Sequence, residues 1–85
     1  MDKDEVCRRV VALIERDEPL PVESLENKLD YRYLDSGHID SFAIIDFIFE
    51  LEDTFKIQLT AEDTQSDQFR TPRGVILTIC GYLSI

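Results

Sequence analysis

The chain has 85 residues, 44% of them hydrophobic, with 18 acids against 9 bases and a net charge of -9 at pH 7. A chain this short makes one domain, 1–85 with a core over about residues 5–83, and buries about 60–65% of its unfolded surface, which leaves no room for the deep cleft most enzymes use. Such an acidic balance repels phosphate backbones and no Lys/Arg cluster offsets it, so nucleic-acid binding is excluded and partners with basic patches are favoured; part of the charge serves solubility alone.

Cys7 and Cys80 sit among apolar neighbours, outside any C-x-x-C pair and away from histidine, and read as small core residues of a reduced, cytoplasmic protein without a zinc site. No N-terminal stretch resembles a signal peptide, and no apolar run approaches the roughly 20 residues of a membrane span.

Taken in order, the first helix starts at Asp2, three residues before Glu5 in a capping-box-like arrangement. Val6, Val10, Leu13 and Ile14 recur at helical spacing, with Cys7 and Val11 widening the stripe. It is predicted to end near Arg16–Glu18, ahead of Pro19 and Pro21. A long connection over 19–39 follows, with Leu20, Val22, Leu25, Leu29, Tyr33 and Leu34 as anchors that strap it across the core, and with a short helical turn over 24–29. The second helix is predicted from Asp40 or Ser41 to about Lys56, with Asp40 as cap and Gly37 allowing a sharp turn into it. Thr60 caps a short helix through about Phe69. Thr71-Pro72 opens the last helix, whose buried face is Val75, Ile76, Ile79 and Leu83. No period-two segment is long enough for a sheet. The fold class is all-α: a small four-helix bundle, three main helices and one short one, with a long loop between the first and second.

The second helix carries two apolar stripes. At about 100° per residue, Ile44, Phe47, Ile48, Leu51 and Phe55 share one side, the core face. Phe42, Ile45 and Phe49 fall within about 60° of one another on the opposite side, flanked by the acids Asp46, Glu50, Glu52 and Asp53. A surface helix needs only one apolar face. Either the long loop or the minor helix covers these phenylalanines, or they form a docking surface with an acidic rim, and partial coverage allows both.

Ser41 lies at the mouth of this helix, where unsatisfied backbone N–H groups and the positive end of the helix dipole favour an anion. A phosphodiester on its hydroxyl gains from that field. His38, three residues away, has no G-x-S-x-G elbow around it and reads as an ordinary loop residue. The acids Asp30, Asp35 and Asp40 lack the close spacing, central glycine and terminal Glu of a calcium loop. No catalytic or metal-binding set is expected.

The stretch Gly37-His38-Ile39-Asp40-Ser41-Phe42, followed by Leu51-Glu52-Asp53-Thr54-Phe55, resembles the acyl carrier protein family. In that family an Asp-Ser dipeptide precedes a large apolar residue and a helix ending in a Leu-Glu-x-x-Phe-like pattern. The resemblance extends over about residues 5–83 and includes the long connection and the capped last helix. Asp35-Ser36 is a second Asp-Ser pair, but Gly37 follows it. Counted from Ser36 the phenylalanine position of the pattern falls on Glu50, and counted from Ser41 it falls on Phe55, which selects Ser41.

The resemblance implies that Ser41 carries 4′-phosphopantetheine, added from coenzyme A by a separate phosphopantetheinyl transferase. The terminal thiol of the arm then holds acyl or aminoacyl cargo as a thioester. It also implies a loading ligase and a downstream transferase or synthase as partners, and a carrier without catalysis of its own; a monomer is the default expectation, which the resemblance does not supply. Asp40 matches the acid beside the modified serine, and Phe42, Ile45, Asp46, Phe49, Glu52 and Asp53 match positions that partner enzymes recognise. The segment Asp67-Gln68-Phe69-Arg70-Thr71-Pro72 is similar to the entry into the last helix of D-alanyl carrier proteins, which however have glycine where this chain has Ala43. The cargo stays open among fatty acyl, polyketide, D-alanyl and other aminoacyl groups. The alternative from a different class is a helical interaction module that uses the Phe42/Ile45/Phe49 face without any prosthetic group.

Overall fold

In the computed structural model, which describes all residues Met1–Ile85, the chain is all-helical: α1 Lys3–Ile14, α2 Leu25–Leu29, α3 Ala43–Phe55, α4 Ala61–Gln65, a single 3-10 turn Asp67–Arg70, and α5 Pro72–Leu83. There are no strands, and no helix is long and apolar enough to cross a membrane. The main helices α1, α3 and α5 are those expected. The simple four-helix count is not what forms: the connection before α3 is interrupted by the five-residue α2, and the expected minor helix is split in two where Ser66 turns extended at ψ 157°.

The ends of α1 follow from local chemistry. Asp2 accepts the Glu5 N–H at 2.8 Å, which satisfies one of the donors a helix start leaves unpaired. The helix stops at Ile14, earlier than the prolines alone require, because the Glu15 side chain turns back to stabilise the reversal. Its carboxylate accepts the Leu20 N–H at 2.8 Å and the Lys28 ammonium at 3.1 Å. Partial burial pushes the Glu15 carboxyl upward, but those two donors outweigh it and hold the group below its ordinary range. Beyond the reversal, Ser24 caps α2 by accepting the Asn27 N–H at 3.1 Å.

Thirteen apolar residues make the core. Val6, Val10 and Ile14 come from α1, Phe47, Leu51 and Phe55 from α3, and Val75, Ile79 and Cys80 from α5. Leu20, Tyr33 and Ile39 of the connection fill the space between the helices; of the other expected anchors, Val22 and Leu34 pack partly against the core, whereas Leu25 is exposed. Cys7 is only half-buried, and desolvation raises its thiol pKa. The α1 helix packs chiefly on α5, and α5 also lies on the 3-10 turn. There Gly74 meets the backbone of Gln68 so closely that a Cβ would fall 1.7 Å from the Gln68 carbonyl oxygen. Upstream, Thr71 caps α5 by accepting the Gly74 N–H at 3.2 Å, with Pro72 in the first turn.

Candidate functional site

The approach to α3 is a tight turn. Gly37 has φ +81°, and the Ile39 N–H donates to the Tyr33 carbonyl at 3.2 Å, which draws Ile39 into the core and leaves Asp40 and Ser41 outside. One oxygen of Asp40, Oδ1, accepts the backbone N–H of Phe42 at 3.0 Å and of Ala43 at 2.8 Å. The Asp40 carbonyl accepts the Ile44 N–H at 3.0 Å. Asp40 therefore performs the capping expected of it, although regular helical bonding begins only at Ala43 and residues 41 and 42 form the turn that leads in. Ser41 is exposed in that turn, and its hydroxyl takes no part in the bonds that hold it.

This geometry corrects one expectation. The helix start is not an open set of N–H donors awaiting an anion, because the Asp40 carboxylate already occupies two of them.

The second Asp-Ser pair is used differently. Asp35 accepts hydrogen bonds from Arg32 and Arg70, and those guanidinium groups, Arg32 foremost, hold its carboxyl below the ordinary aspartate range. The Ser36 hydroxyl faces the Tyr33 carbonyl at 3.4 Å and the His38 N–H at 3.3 Å. Both residues serve the turn. His38 donates from Nε2 to the Ile14 carbonyl, 3.0 Å away, which fastens the turn to the last residue of α1.

Ser41 opens onto a groove of about 580 Å³ between the start of α3 and the α4/3-10 segment, with Gly37, Asp40, Ile44, Thr64 and Arg70 among its walls. It is open to solvent; few of its lining residues are hydrophobic, yet most of the surface they present is apolar. The far wall was not legible in the sequence, because Thr64 and Arg70 reach it only through the tertiary fold. Nothing crowds Gly37: no atom lies within 4 Å of where a Cβ would stand.

On the same helix the second apolar stripe is uncovered. Phe42 is 88% exposed, Phe49 62% and Ile45 55%, so neither the connection nor α4 packs over them. The acids around the stripe divide into two sets. Asp46 and Asp53 point to solvent, Asp53 with only a 3.8 Å approach to Lys56. Glu52 instead accepts the Leu59 N–H at 2.8 Å and secures the chain leaving α3, and Glu50 pairs with Arg16 at 3.1 Å. The acids left free around the stripe are thus Asp46 and Asp53, two of the four expected there, Asp46, Glu50, Glu52 and Asp53.

No family profile and no solved structure matches the chain. Curated relatives do. The D-alanyl carrier protein of Leuconostoc citreum (strain KM20) is 28% identical over 57 residues, covering 67% of this chain and 73% of the relative. The D-alanyl carrier protein of Leuconostoc mesenteroides subsp. mesenteroides is 26% identical with the same coverage. That of Bacillus mycoides (strain KBAB4) is 29% identical over 52 residues, 61% of this chain and 66% of the relative. The chain resembles the acyl and aminoacyl carrier protein family.

Proposed function

We propose that this protein is a carrier that holds acyl or aminoacyl groups as thioesters on a 4′-phosphopantetheine arm attached to Ser41. The observation that supports this best is the exposed Ser41 hydroxyl, free of intramolecular bonds, in a turn pinned by Asp40 beside an uncovered apolar stripe. The relatives named as D-alanyl carrier proteins favour the same reading.

The residues present fit such a group. Ser41 is reachable from solvent, and the groove beside it has about 580 Å³ with both apolar and polar surface, which suits an arm that alternates methylene groups with amides. Attachment forms a bond from Ser41 Oγ to the phosphorus of coenzyme A as the phosphoanhydride breaks and the adenosine bisphosphate half leaves; the transferase takes the hydroxyl proton. Ser41 therefore needs no base of its own, and the commitment of His38 to the Ile14 carbonyl is consistent with that. Once present, the arm supplies a thiol for thioester chemistry. The chain itself contributes a fixed attachment point, an apolar stripe with Asp46 and Asp53 for docking, and the raised local concentration that tethering gives. A phosphopantetheinyl transferase, a loading ligase and a downstream transferase or synthase are the partners this role requires.

The test is intact mass after incubation with a broad-specificity phosphopantetheinyl transferase and coenzyme A. One pantetheine adduct is expected, absent in Ser41→Ala and retained in Ser36→Ala. An unmodified wild type would instead support the interaction module, which the exposed Phe42/Ile45/Phe49 stripe also serves.

A further inference from the structure

We infer that Arg70 is the cation that holds the phosphate of the arm on Ser41. This rests on the carrier reading and adds to it a residue outside the Asp-Ser motif. Three observations carry it.

First, the usual source of positive potential is taken. The N–H groups of Phe42 and Ala43 both donate to Asp40 Oδ1, so a phosphodiester on the neighbouring hydroxyl finds a carboxylate at the helix start instead of free donors. With a net charge of -9 on the chain and the Asp40 carboxylate alongside, a further negative charge at that point gains from a nearby cation.

Second, of the nine Lys and Arg residues only Arg70 lines the groove that Ser41 opens onto. It stands on the opposite wall, at the end of the 3-10 turn, and its backbone is fixed because Phe69 before it is fully buried and Thr71 after it caps α5.

Third, the guanidinium has capacity left. Arg70 gives Nη1 to Asp35 and has Nε 3.5 Å from Asp67, while Nη2 makes no hydrogen bond. Five N–H donors in a rigid planar fork allow it to keep Asp35 and still present a pair of donors to a phosphate. Asp35 then acts as a positioning residue that aims Arg70 at the groove, which gives the second Asp-Ser pair a purpose besides its turn.

The experiment uses the holo protein, made with the transferase and coenzyme A, and reads the phosphodiester by phosphorus NMR at low and high salt. The resonance is expected to move in Arg70→Gln and to stay in place in Arg73→Gln, which removes an arginine tied to Asp30 and Glu26 away from the groove. Raising the salt should shift the wild-type resonance toward that of Arg70→Gln and leave the variant unchanged. Superimposed wild-type and Arg70→Gln resonances at both salt concentrations, or equal displacement in the two arginine variants, would overturn the inference. Should Arg70→Gln fail to fold, the Arg70 guanidinium signals of the wild type, Nη2–H included, decide at low temperature: movement between apo and holo forms supports the contact, and unmoved signals refute it. Absence of any adduct would defeat the carrier reading itself, whereas an adduct with an indifferent phosphorus signal defeats only the role of Arg70.

Discussion

The buried hydroxyl of Tyr33 donates to the backbone carbonyl of Phe69, joining the connection before α3 to the 3-10 turn across 36 residues of sequence. The Tyr33 ring packs edge-on against Phe47 with centroids 5.7 Å apart, and Phe47 lies 6.3 Å from Phe69. Removing the hydroxyl in Tyr33→Phe strands a buried carbonyl and should cost about 1–3 kcal/mol, measured by urea denaturation. Burial also raises the phenol pKa well above its ordinary value. A group whose folded pKa is raised contributes stability that is complete below the unfolded pKa, about 10, and is lost as pH rises beyond it. The wild type should therefore lose more stability than Tyr33→Phe on going from neutral pH to pH above 10, and parallel pH profiles would refute this.

Two glycines of α5 should respond to alanine with opposite signs. At Gly74 the new methyl would fall 1.7 Å from the Gln68 oxygen, which belongs to the backbone and yields only if the 3-10 turn moves off the helix. The expected cost is about 1–3 kcal/mol, in the range for overpacking. At Gly81 nothing lies within 4 Å, so the substitution only removes the entropic penalty of a helical glycine and should stabilise by about 0.5–1 kcal/mol. Thermal midpoints of the two variants check both.

What could be read in advance, and what could not, follows the range of the interactions. The Asp2 and Thr71-Pro72 starts act over three residues, so the chain order alone reveals them. Helical spacing likewise placed Phe47, Leu51 and Phe55 inward. It assigned Phe42, Ile45 and Phe49 an angle but could not say what packs over them, because that depends on where α4 settles. Glu52 looked like a rim acid until the Leu59 N–H, seven residues on, claimed it. Arg70 lacked any local signal, since only the fold carries it to the wall opposite Ser41.

Asp40 should prove separable into charge and cap. Its side chain accepts two N–H groups, and asparagine offers an equivalent oxygen. Asp40→Ala should lose about 0.5–2 kcal/mol and loosen the turn that presents Ser41, slowing attachment of the arm. Asp40→Asn should keep the stability to within a few tenths of a kcal/mol of wild type, about the difference between good caps, and any slowing that remains then reports the charge. Equal stability of the alanine and asparagine variants would show that the cap is idle. Denaturation curves and a time course of intact mass give the two readouts.

The uncovered stripe on α3 separates docking from folding in the same way. Phe42 and Phe49 are exposed, so their replacement by alanine should leave the denaturation midpoint nearly unchanged. If a transferase seats on them, each loss should reduce the efficiency of modification by about tenfold, the scale of a single interface anchor. Asp46→Lys and Asp53→Lys should also slow modification at low salt, by an amount that shrinks as salt screens the exposed charges. Glu52→Lys is a poor probe of the same idea, because it takes the acceptor from the Leu59 N–H and weakens the exit from α3. A transferase that modifies the phenylalanine and aspartate variants at the wild-type rate at low salt would leave the stripe without a docking role, and Glu52→Lys alone being slow would then reflect a damaged fold.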